Sequence, residues 1–343
     1  MPTIALDAMG GDHGVEAAVT AAAQISLDHE AAVLLVGDQT QIDEVLSGCR
    51  YDPAFLSVHH TPDAIGMGED PKTAVAAKPN ASIVLGARLV AEGEAEALVS
   101  AGNTGACVLA CAKAFNKLPN VPRTALAAVY PTQARRGRHD DPFSLILDVG
   151  ANLAVTADAL VAFAYMGSAY AACISDNPRP RIALLSNGSE PYKGLPAIVE
   201  ANRRLTGDDR INFVGNIEGI DLPRGVADVV VTDGFTGNVV LKMLEGISET
   251  VVDLAKYAYR SRFVWRVGLA MLRGGIMQIK RVTDWRQYGG APILGFDHLF
   301  IKAHGRSNAR AIRNAVKVAH RAVSRDLCAE IERLLDIPES PSS

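Results

Sequence analysis

The sequence predicts an α/β protein with a largely parallel sheet and helices on both faces. Six short apolar runs, each ending in Gly, Asp or a polar turn, precede segments of helical length. Such runs favour strands over buried helices, and their alternation with helical segments is typical of parallel sheets covered on both sides. With 343 residues, of which 48% are hydrophobic, the chain can bury a full core.

The predicted elements follow one another in a regular order. The strands are TIAL, AAVLLVG, ALVSAG, SLILDVG, RIALLSNG and ADVVVTDG. The predicted helices cover residues 15–27, 81–91, 106–115, 157–174, 195–205, 239–258 and 308–335. Because no internal repeat or Pro/Gly/Ser linker divides the chain, we expect residues 1–335 to form a single bilobed α/β domain. Residues 336–343 are expected to be a disordered tail.

The composition narrows the functional classes. The net charge of −4 argues against nucleic-acid binding, which needs a broad basic surface. No apolar run reaches the roughly 18 residues that span a bilayer, and the N-terminus lacks a basic leader. The five cysteines have no paired metal-ligand spacing. We therefore expect a cytoplasmic protein with reduced thiols, no metal and no cofactor.

Four predicted strands end in small, glycine-rich polar turns. These turns are SAGNTGA (100–106), LDVGAN (147–152), LLSNGSEPYKG (184–194) and VVTDGFTGNV (230–239). In an open parallel sheet, ligands bind beyond the carboxyl ends of the strands, where helix N-termini attract anions. The sequence therefore predicts an anion site there. The alternative is that these are ordinary β–α turns, rich in capping residues.

Lys193 is the charged residue that favours a ligand over a plain turn. It lies at the start of a predicted helix, where a cation opposes the helix dipole. An anion bound between the two would explain its position. The alternative is a solvated surface lysine.

The common nucleotide and nucleophile motifs are missing from the sequence. No G-x-G-x-x-G follows the first strand, and no G-x-x-x-x-G-K-[ST] or G-x-S-x-G is present. A dinucleotide or ATP enzyme is therefore weakly supported. If the chain is a transferase, its substrate brings the nucleophile.

Several motifs together resemble one enzyme family. DAMGGD (7–12), SAGNTGA, LDVGAN, GSEPYKG (188–194), VVVTDGFTGNVVLK (229–242), YGGAPILG (288–295) and HGRS (304–307) occur in order along nearly the whole chain. They are similar to those of the bacterial acyl-carrier-protein:phosphate acyltransferases of phospholipid synthesis. The sequence departs from the family pattern at Asn187, Leu195 and near Ala154, where Ile or Val, Asn, and Asp are more usual.

This resemblance implies a fold like that of the isocitrate and isopropylmalate dehydrogenases and of phosphate acetyltransferase. It implies a homodimer that makes acyl phosphate from acyl carrier protein and inorganic phosphate. A membrane glycerol-3-phosphate acyltransferase would then consume the product, so it is the expected functional partner.

The implied chemistry assigns roles to the turn residues. Lys193 and backbone N–H groups would hold phosphate for attack on the thioester, and the Asn238 amide would stabilise the oxyanion. The other predicted substrate-binding residues are Asn103, Thr104, Gly105, Asn152, Gly188, Glu190, Asp233, Thr236 and Gly237. Asp233 would orient Lys193 or the following backbone, or would simply cap the helix near Gly237.

Three other functions remain open from the sequence. One is a phosphate acetyltransferase-like enzyme that uses acyl-CoA, and another is a non-catalytic regulator that binds an anion. The third is an NAD-dependent decarboxylating dehydrogenase on the same fold, although the sequence lacks its acidic metal cluster.

Residues 260–281 form a basic apolar segment with six Arg or Lys and no acid. On a helix four of these basic residues, Arg262, Arg266, Arg273 and Lys280, fall within about 40° of one another. We predict an inserted helical hairpin, residues 257–283, that docks on an anionic membrane surface and makes the protein peripherally membrane-associated. The predicted docking residues are Phe263, Val264, Trp265, Arg266, Leu269, Leu272 and Arg273. The alternative is that the same apolar faces pair across a dimer.

Overall fold

A computed structural model describes residues 1–136, 141–261, 263–272, 274–275 and 289–336, and eleven strands in these ranges form one sheet. The strands are β1 (Thr3–Asp7), β2 (Ala32–Gly37), β3 (Leu56–His60), β4 (Ala97–Ser100), β5 (Ala125–Arg136), β6 (Asp141–Leu147), β7 (Arg181–Leu185), β8 (Asn212–Ile217), β9 (Val229–Val231), β10 (Ala291–Leu294) and β11 (Leu299–Lys302). The sheet order is β3-β2-β1-β4-β11-β10-β5-β6-β9-β7-β8.

Twelve helices accompany these strands in the described ranges. They are α1 (Gly14–Asp28), α2 (Gln39–Ser47), α3 (Pro71–Ala77), α4 (Ser82–Ala91), α5 (Thr104–Ala114), α6 (Ala157–Ser175), α7 (Pro196–Leu205), α8 (Asp221–Arg224), α9 (Gly234–Ser261), α10 (Phe263–Met271), α11 (Ala309–Ser324) and α12 (Leu327–Leu335).

The sheet is mostly parallel, which confirms the predicted class. Seven strand pairings are parallel, and the three antiparallel ones join β11, β10, β5 and β6 in the middle. Because these three antiparallel pairings follow one another, the second group of parallel strands, β6 to β9, runs in the opposite direction to the first group, which ends at β11. The carboxyl ends of β1, β4 and β11 therefore lie at one edge of the sheet, and those of β6, β7 and β9 lie at the other.

Both faces of the sheet are covered by apolar side chains, as a buried parallel sheet requires. Within β1, Ile4 and Leu6 join a core cluster with α1, α6, α11 and α12, whereas Ala5 joins a second cluster with α4 and α5. This alternation follows from the two-residue period of a strand. The helices are thus layered on both sides, as predicted.

Two predicted helices differ from the structure by more than one or two residues. The helix predicted at 239–258 begins at Gly234 and continues to Ser261. The helix predicted at 308–335 is wrong as a single element, because it is broken between Ser324 and Leu327. Asp326 there has φ +49°, outside the right-handed helical region, and its carboxylate caps α12 by accepting from the Ala329 N–H.

The long apolar helix α6 belongs to the core. Among the described residues it alone has the length and composition to cross a membrane, yet 78% of its apolar window is buried inside the fold. Its small residues allow close packing on the sheet: a side chain at Gly167 would meet Val229 Cγ1 at 2.4 Å.

The predicted hairpin is described only in part. Residues 257–261 form the end of α9, and α10 follows from Phe263. Residues 262, 273 and 276–283 of the predicted hairpin, and residues 337–343 of the predicted tail, lie outside the described residues.

Candidate active site

Three of the four glycine-rich turns converge at one edge of the sheet. The turns 147–152, 184–194 and 230–239 follow β6, β7 and β9, which are adjacent in the sheet. The turn 100–106 follows β4 and opens at the opposite edge. The carboxyl ends of the strands share an edge only within each parallel group. The antiparallel strands between the two groups make one group run opposite to the other.

The turn after β7 exposes a run of backbone donors. The N–H groups of Ser186 and Lys193 donate to Ile217 O (2.9 Å) and Glu190 O (3.0 Å). Within the described part of the chain, no acceptor receives the N–H groups of residues 187–190. Such unengaged consecutive amides are the donors that anion-binding turns use.

Lys193 lies across this turn with its charge uncompensated. Its stem packs over Gly188, where an added Cβ would lie 2.9 Å from Lys193 Cγ. Its Nζ lies 5.9 Å from the ring centroid of Tyr192, and it forms no ion pair with a carboxylate of the described residues. The residue lies three positions before α7, which begins at Pro196, one residue later than predicted. A cation over a row of free amides suits an anionic ligand.

Two buried asparagines shape the same turn. Asn216, on β8, donates from Nδ2 to Glu190 O (2.9 Å) and to Lys193 O (3.4 Å). Its side-chain oxygen in turn accepts from Asn202 Nδ2 on α7 at 2.9 Å. Sequence analysis did not identify this pair, because neither residue belongs to a glycine-rich turn and only the fold brings them together.

A cavity of 510 Å³ opens between this turn and the first turn of α9. Thr232, Asp233, Thr236 and Val240 line one side, and residues of the β7 turn and α7 line the other, among them Ser186, Asn187, Gly194, Leu195 and Ile198. The lining combines apolar and hydroxyl side chains. Lys193 and Asn238 flank the lining residues and are not among them.

Asp233 begins α9 as its cap. Its two carboxylate oxygens accept from the N–H (2.8 Å) and the hydroxyl (2.7 Å) of Thr236. These contacts favour the capping role over an orienting contact to Lys193. Residue 237 has to be glycine where α9 passes the turn after β6, since a Cβ there would lie 1.9 Å from Asp148 O.

Asn238 is held by the turn after β6. Its Nδ2 donates to Val149 O at 3.0 Å, which leaves its second N–H for another acceptor. The loop that provides Val149 O is organised by the fully buried carboxylate of Asp148. Asp148 accepts from the N–H groups of Leu126, Gly150, Ala151 and Asn152 and from Asn152 Nδ2, at 2.7–3.1 Å.

The predicted ligand residue Asn152 therefore has a structural partner. Its Nδ2 also donates to Thr124 O at 2.7 Å, and its carbonyl accepts from the Gly234 N–H at 2.8 Å. Asp148 was missed as a functional residue, although it lies in the LDVGAN motif. The sequence did contain a signal for Asp148, because it is an acidic residue at the end of an apolar strand, shortly before a glycine.

Asn103, Thr104 and Gly105 start α5 at the other edge. The Asn103 oxygen accepts from the Ala106 N–H (3.1 Å), and its Nδ2 donates to Met67 O and Glu69 O (both 3.1 Å). An added Cβ at Gly105 would lie 2.5 Å from Pro71 Cγ. These contacts give Asn103 a capping and loop-holding role, and they do not bring it to Lys193.

Charged residues converge beside this second turn. Asp7 accepts from Ser100 Oγ (2.6 Å) and from the Met9 N–H (3.1 Å). Cys107 is fully buried next to Ser100, and burial raises the pKa of its thiol to about 11. Burial also lowers the pKa of the Lys302 ammonium, and its electrostatic interactions with Cys107 and Asp7 oppose this shift.

The predicted docking residues of α10, and Leu272 directly after it, are exposed where they are described. The exposed fractions are 75% for Phe263, 75% for Val264, 45% for Trp265 and 62% for Leu272. The side chains of Arg266 and Leu269 and the whole of Arg273 lie outside the described residues. No group of three or more His, Cys, Asp or Glu side chains in the described ranges could hold a metal ion.

The fold matches that of solved phosphotransacetylases. A phosphotransacetylase from Streptococcus pyogenes superimposes with a TM-score of 0.64 at 18% identity, covering 94% of each chain. A branched-chain phosphotransacylase from Enterococcus faecalis V583 gives 0.55 at 16% identity, covering 95% of this chain and all of the other. The chain is thus an α/β protein of the phosphotransacetylase fold; its likeness to the dehydrogenases stays a prediction.

Sequence comparison defines the family. Residues 2–330 match the model of the fatty acid synthesis protein family. A phosphate acyltransferase of Myxococcus xanthus is 41% identical over 335 residues, covering 97% of this chain and 93% of the relative. One from a Geobacillus species is 39% identical and covers 97% and 98%. The chain belongs to the phosphate acyltransferase family and is an acyltransferase, which confirms the resemblance seen in its motifs.

Proposed function

We propose that this acyltransferase moves a fatty acyl group from acyl carrier protein to inorganic phosphate. The observation that carries the proposal is the turn after β7, where unengaged amides of residues 187–190 lie beside the uncompensated charge of Lys193. A phosphate dianion is the guest that such donors suit. The family and its place in fatty acid synthesis support the acyl thioester as the second substrate.

The proposed reaction is a direct displacement. A phosphate oxygen held by Lys193 forms the new bond to the thioester carbon, and the carbonyl oxygen takes up the negative charge. The free N–H of Asn238 stabilises that oxyanion, and the carbon–sulfur bond then breaks to release the thiolate, which takes a proton from water. Gly188, Glu190, Thr236 and Gly237 shape the phosphate turn and the facing turn of α9.

Orientation supplies much of the acceleration in this scheme. No enzyme nucleophile is needed, because phosphate itself attacks. Holding two reactants at contact distance is worth several kcal/mol, roughly 7–11 for well-oriented pairs. The chain's contribution is therefore positioning and charge stabilisation.

The test is a substrate comparison with the purified full-length protein. We expect acyl phosphate from long-chain acyl carrier protein plus phosphate, and no acetyl phosphate from acetyl-CoA. Preferential use of acetyl-CoA would instead support a phosphate acetyltransferase-like enzyme. Phosphate binding without any product would support an anion-binding regulator.

We further propose that the enzyme is a cytoplasmic homodimer that docks on anionic membranes through residues 257–283. The support is exposed apolar surface on the described part of this region, together with the six basic residues of 260–281. A stripe on α9, formed by Met243, Ile247, Val251 and Leu254, is 52–63% exposed and is a suitable dimer surface. Docking would deliver a greasy acyl phosphate to a membrane glycerol-3-phosphate acyltransferase.

A further inference from the structure

The 302–307 loop, made up of the last residue of β11 and the residues that follow it, contains a buried cation with unfilled hydrogen-bond capacity. Lys302 is only 6% exposed, and its Nζ donates to the carbonyl of the adjacent Ala303. An ammonium group has three donors, and no described carboxylate forms an ion pair with Lys302. A buried charge normally gains a paired acceptor, so this geometry leaves room for an anionic ligand.

The nearest carboxylates do not fill that role. Asp7 is committed to Ser100 Oγ and the Met9 N–H. The charges of Asp7 and Asp12 act on Lys302 through space, without a hydrogen bond. The same loop contains a second unfilled group, Ser307 Oγ, which is buried and has no partner among the described residues.

Further cations surround the loop from two parts of the chain. His304 Nδ1 accepts from the Arg306 N–H at 3.1 Å. Burial lowers the pKa of His304, the charges of Lys302, Lys242 and Arg306 lower it further, and Glu245 opposes them. Lys242 lies on α9, which follows the second group of parallel strands, so cations from both halves of the sheet act electrostatically on His304. The exposed guanidinium of Arg306 has no partner in the described part of the chain.

Helix α9 connects this loop with the proposed reaction centre. Lys242 is one turn beyond Asn238 on the same face of α9, roughly 6 Å further along the axis. Its present partner is Glu245 at 2.7 Å, an exposed contact that a ligand phosphate can replace. A ligand that reacts at Asn238 and has an anionic group some distance from its reacting end would reach the 302–307 loop along α9.

We propose that Lys302, Arg306 and Lys242 form a second anion site that binds the phosphate of the acyl donor's phosphopantetheine arm. This inference rests on the proposed function. The arm of an acyl donor has its thioester at one end and its phosphate at the other. Inorganic phosphate would occupy the Lys193 turn, and the phosphate of the arm would bind at the other edge of the sheet.

The test compares long-chain acyl-phosphopantetheine with acyl-pantetheine, which lacks the phosphate, as donors for the full-length enzyme. We expect kcat/KM to favour the phosphorylated donor about ten-fold or more, as a charge-assisted contact would give. Arg306→Gln and Lys302→Met should each reduce this preference towards unity, with the KM for inorganic phosphate unchanged. Arg310→Gln, which removes an exposed arginine at the second position of α11, is the matched control and should keep the preference.

Three outcomes would overturn the second site. One is a wild-type enzyme that uses both donors equally, and another is an undiminished preference in folded Arg306→Gln and Lys302→Met variants. The third is a selective rise in the KM for inorganic phosphate, which would place that substrate at the loop. Failure of the proposed function itself would look different, because acyl carrier protein would then give no acyl phosphate at all. Thermal unfolding confirms that each variant is folded.

Discussion

At the scale of single residues, substitution of Lys193 is the most direct test of the proposed phosphate-binding turn. Lys193→Ala should lower activity at least ten-fold with an intact fold, because a charge-assisted hydrogen bond contributes about 1.5–3 kcal/mol. Steady-state rates over a phosphate titration measure this loss. Lys113→Ala removes an exposed lysine on α5 and is the control. An unchanged rate and phosphate dependence would show that Lys193 is an ordinary surface lysine.

Asn238 should affect a different kinetic constant. Asn238→Ala removes the N–H assigned to the oxyanion, so turnover should fall more than the apparent KM for phosphate rises. It also removes the contact to Val149 O, which lies 3.0 Å away. Urea unfolding of the variant separates that structural loss from the catalytic one. A defect confined to phosphate affinity would contradict the oxyanion role.

At the scale of elements, the start of α7 lacks a side-chain cap. Leu195 occupies the N-cap position with φ −66° and ψ 156°, yet no side chain accepts a helix N–H there. Leu195→Asn would supply that acceptor in a suitable backbone conformation and should raise the free energy of unfolding by about 1 kcal/mol. Denaturant titration measures the gain, and Leu195→Ala is the matched control. Equal stability of the Asn and Ala variants would contradict the prediction.

The contact between α6 and the loop after α7 should depend on pH. A hydrogen bond from Arg210 lowers the pKa of Asp208 to about 2; burial opposes this shift, and Tyr165 assists it. The ionised carboxylate therefore stabilises the fold above its ordinary pKa of 3.8, and this stability is lost as pH falls through about 2.

Asp208→Asn should accordingly lower the free energy of unfolding at pH 7 by on the order of 2 kcal/mol. The difference from the wild type should shrink between pH 4 and roughly pH 2. Asp209→Asn changes the exposed neighbour and should have little effect at either pH. A deficit that stays constant across this pH range would rule out the ionic origin.

At the scale of the whole molecule, the exposed residues of α10 should control membrane docking. Phe263→Glu with Val264→Glu adds charge to two side chains that are 75% exposed, so sedimentation with anionic liposomes should be lost. Acyl transfer measured in solution should persist, because these residues follow the end of α9, whereas the proposed reaction centre is at its first turns. Leu27→Glu changes an exposed apolar residue on α1 and is the control. Dissociation of a dimer with liposome binding retained would favour the dimer alternative for this surface.

The sequence alone was sufficient for the class of fold and for locating the glycine-rich turns of the proposed phosphate site. Apolar runs ending in Gly or Asp specify buried strands locally, and glycines such as Gly237 mark places where only hydrogen fits against neighbouring backbone. Local sequence patterns do not specify in which direction a strand runs relative to its neighbours in the sheet. The reversal through β10 and β5, which separates Asn103 from Lys193, was therefore decided by long-range pairing. The same holds for Asp148 and Asn216, whose buried polar groups acquired their partners only when distant segments packed together.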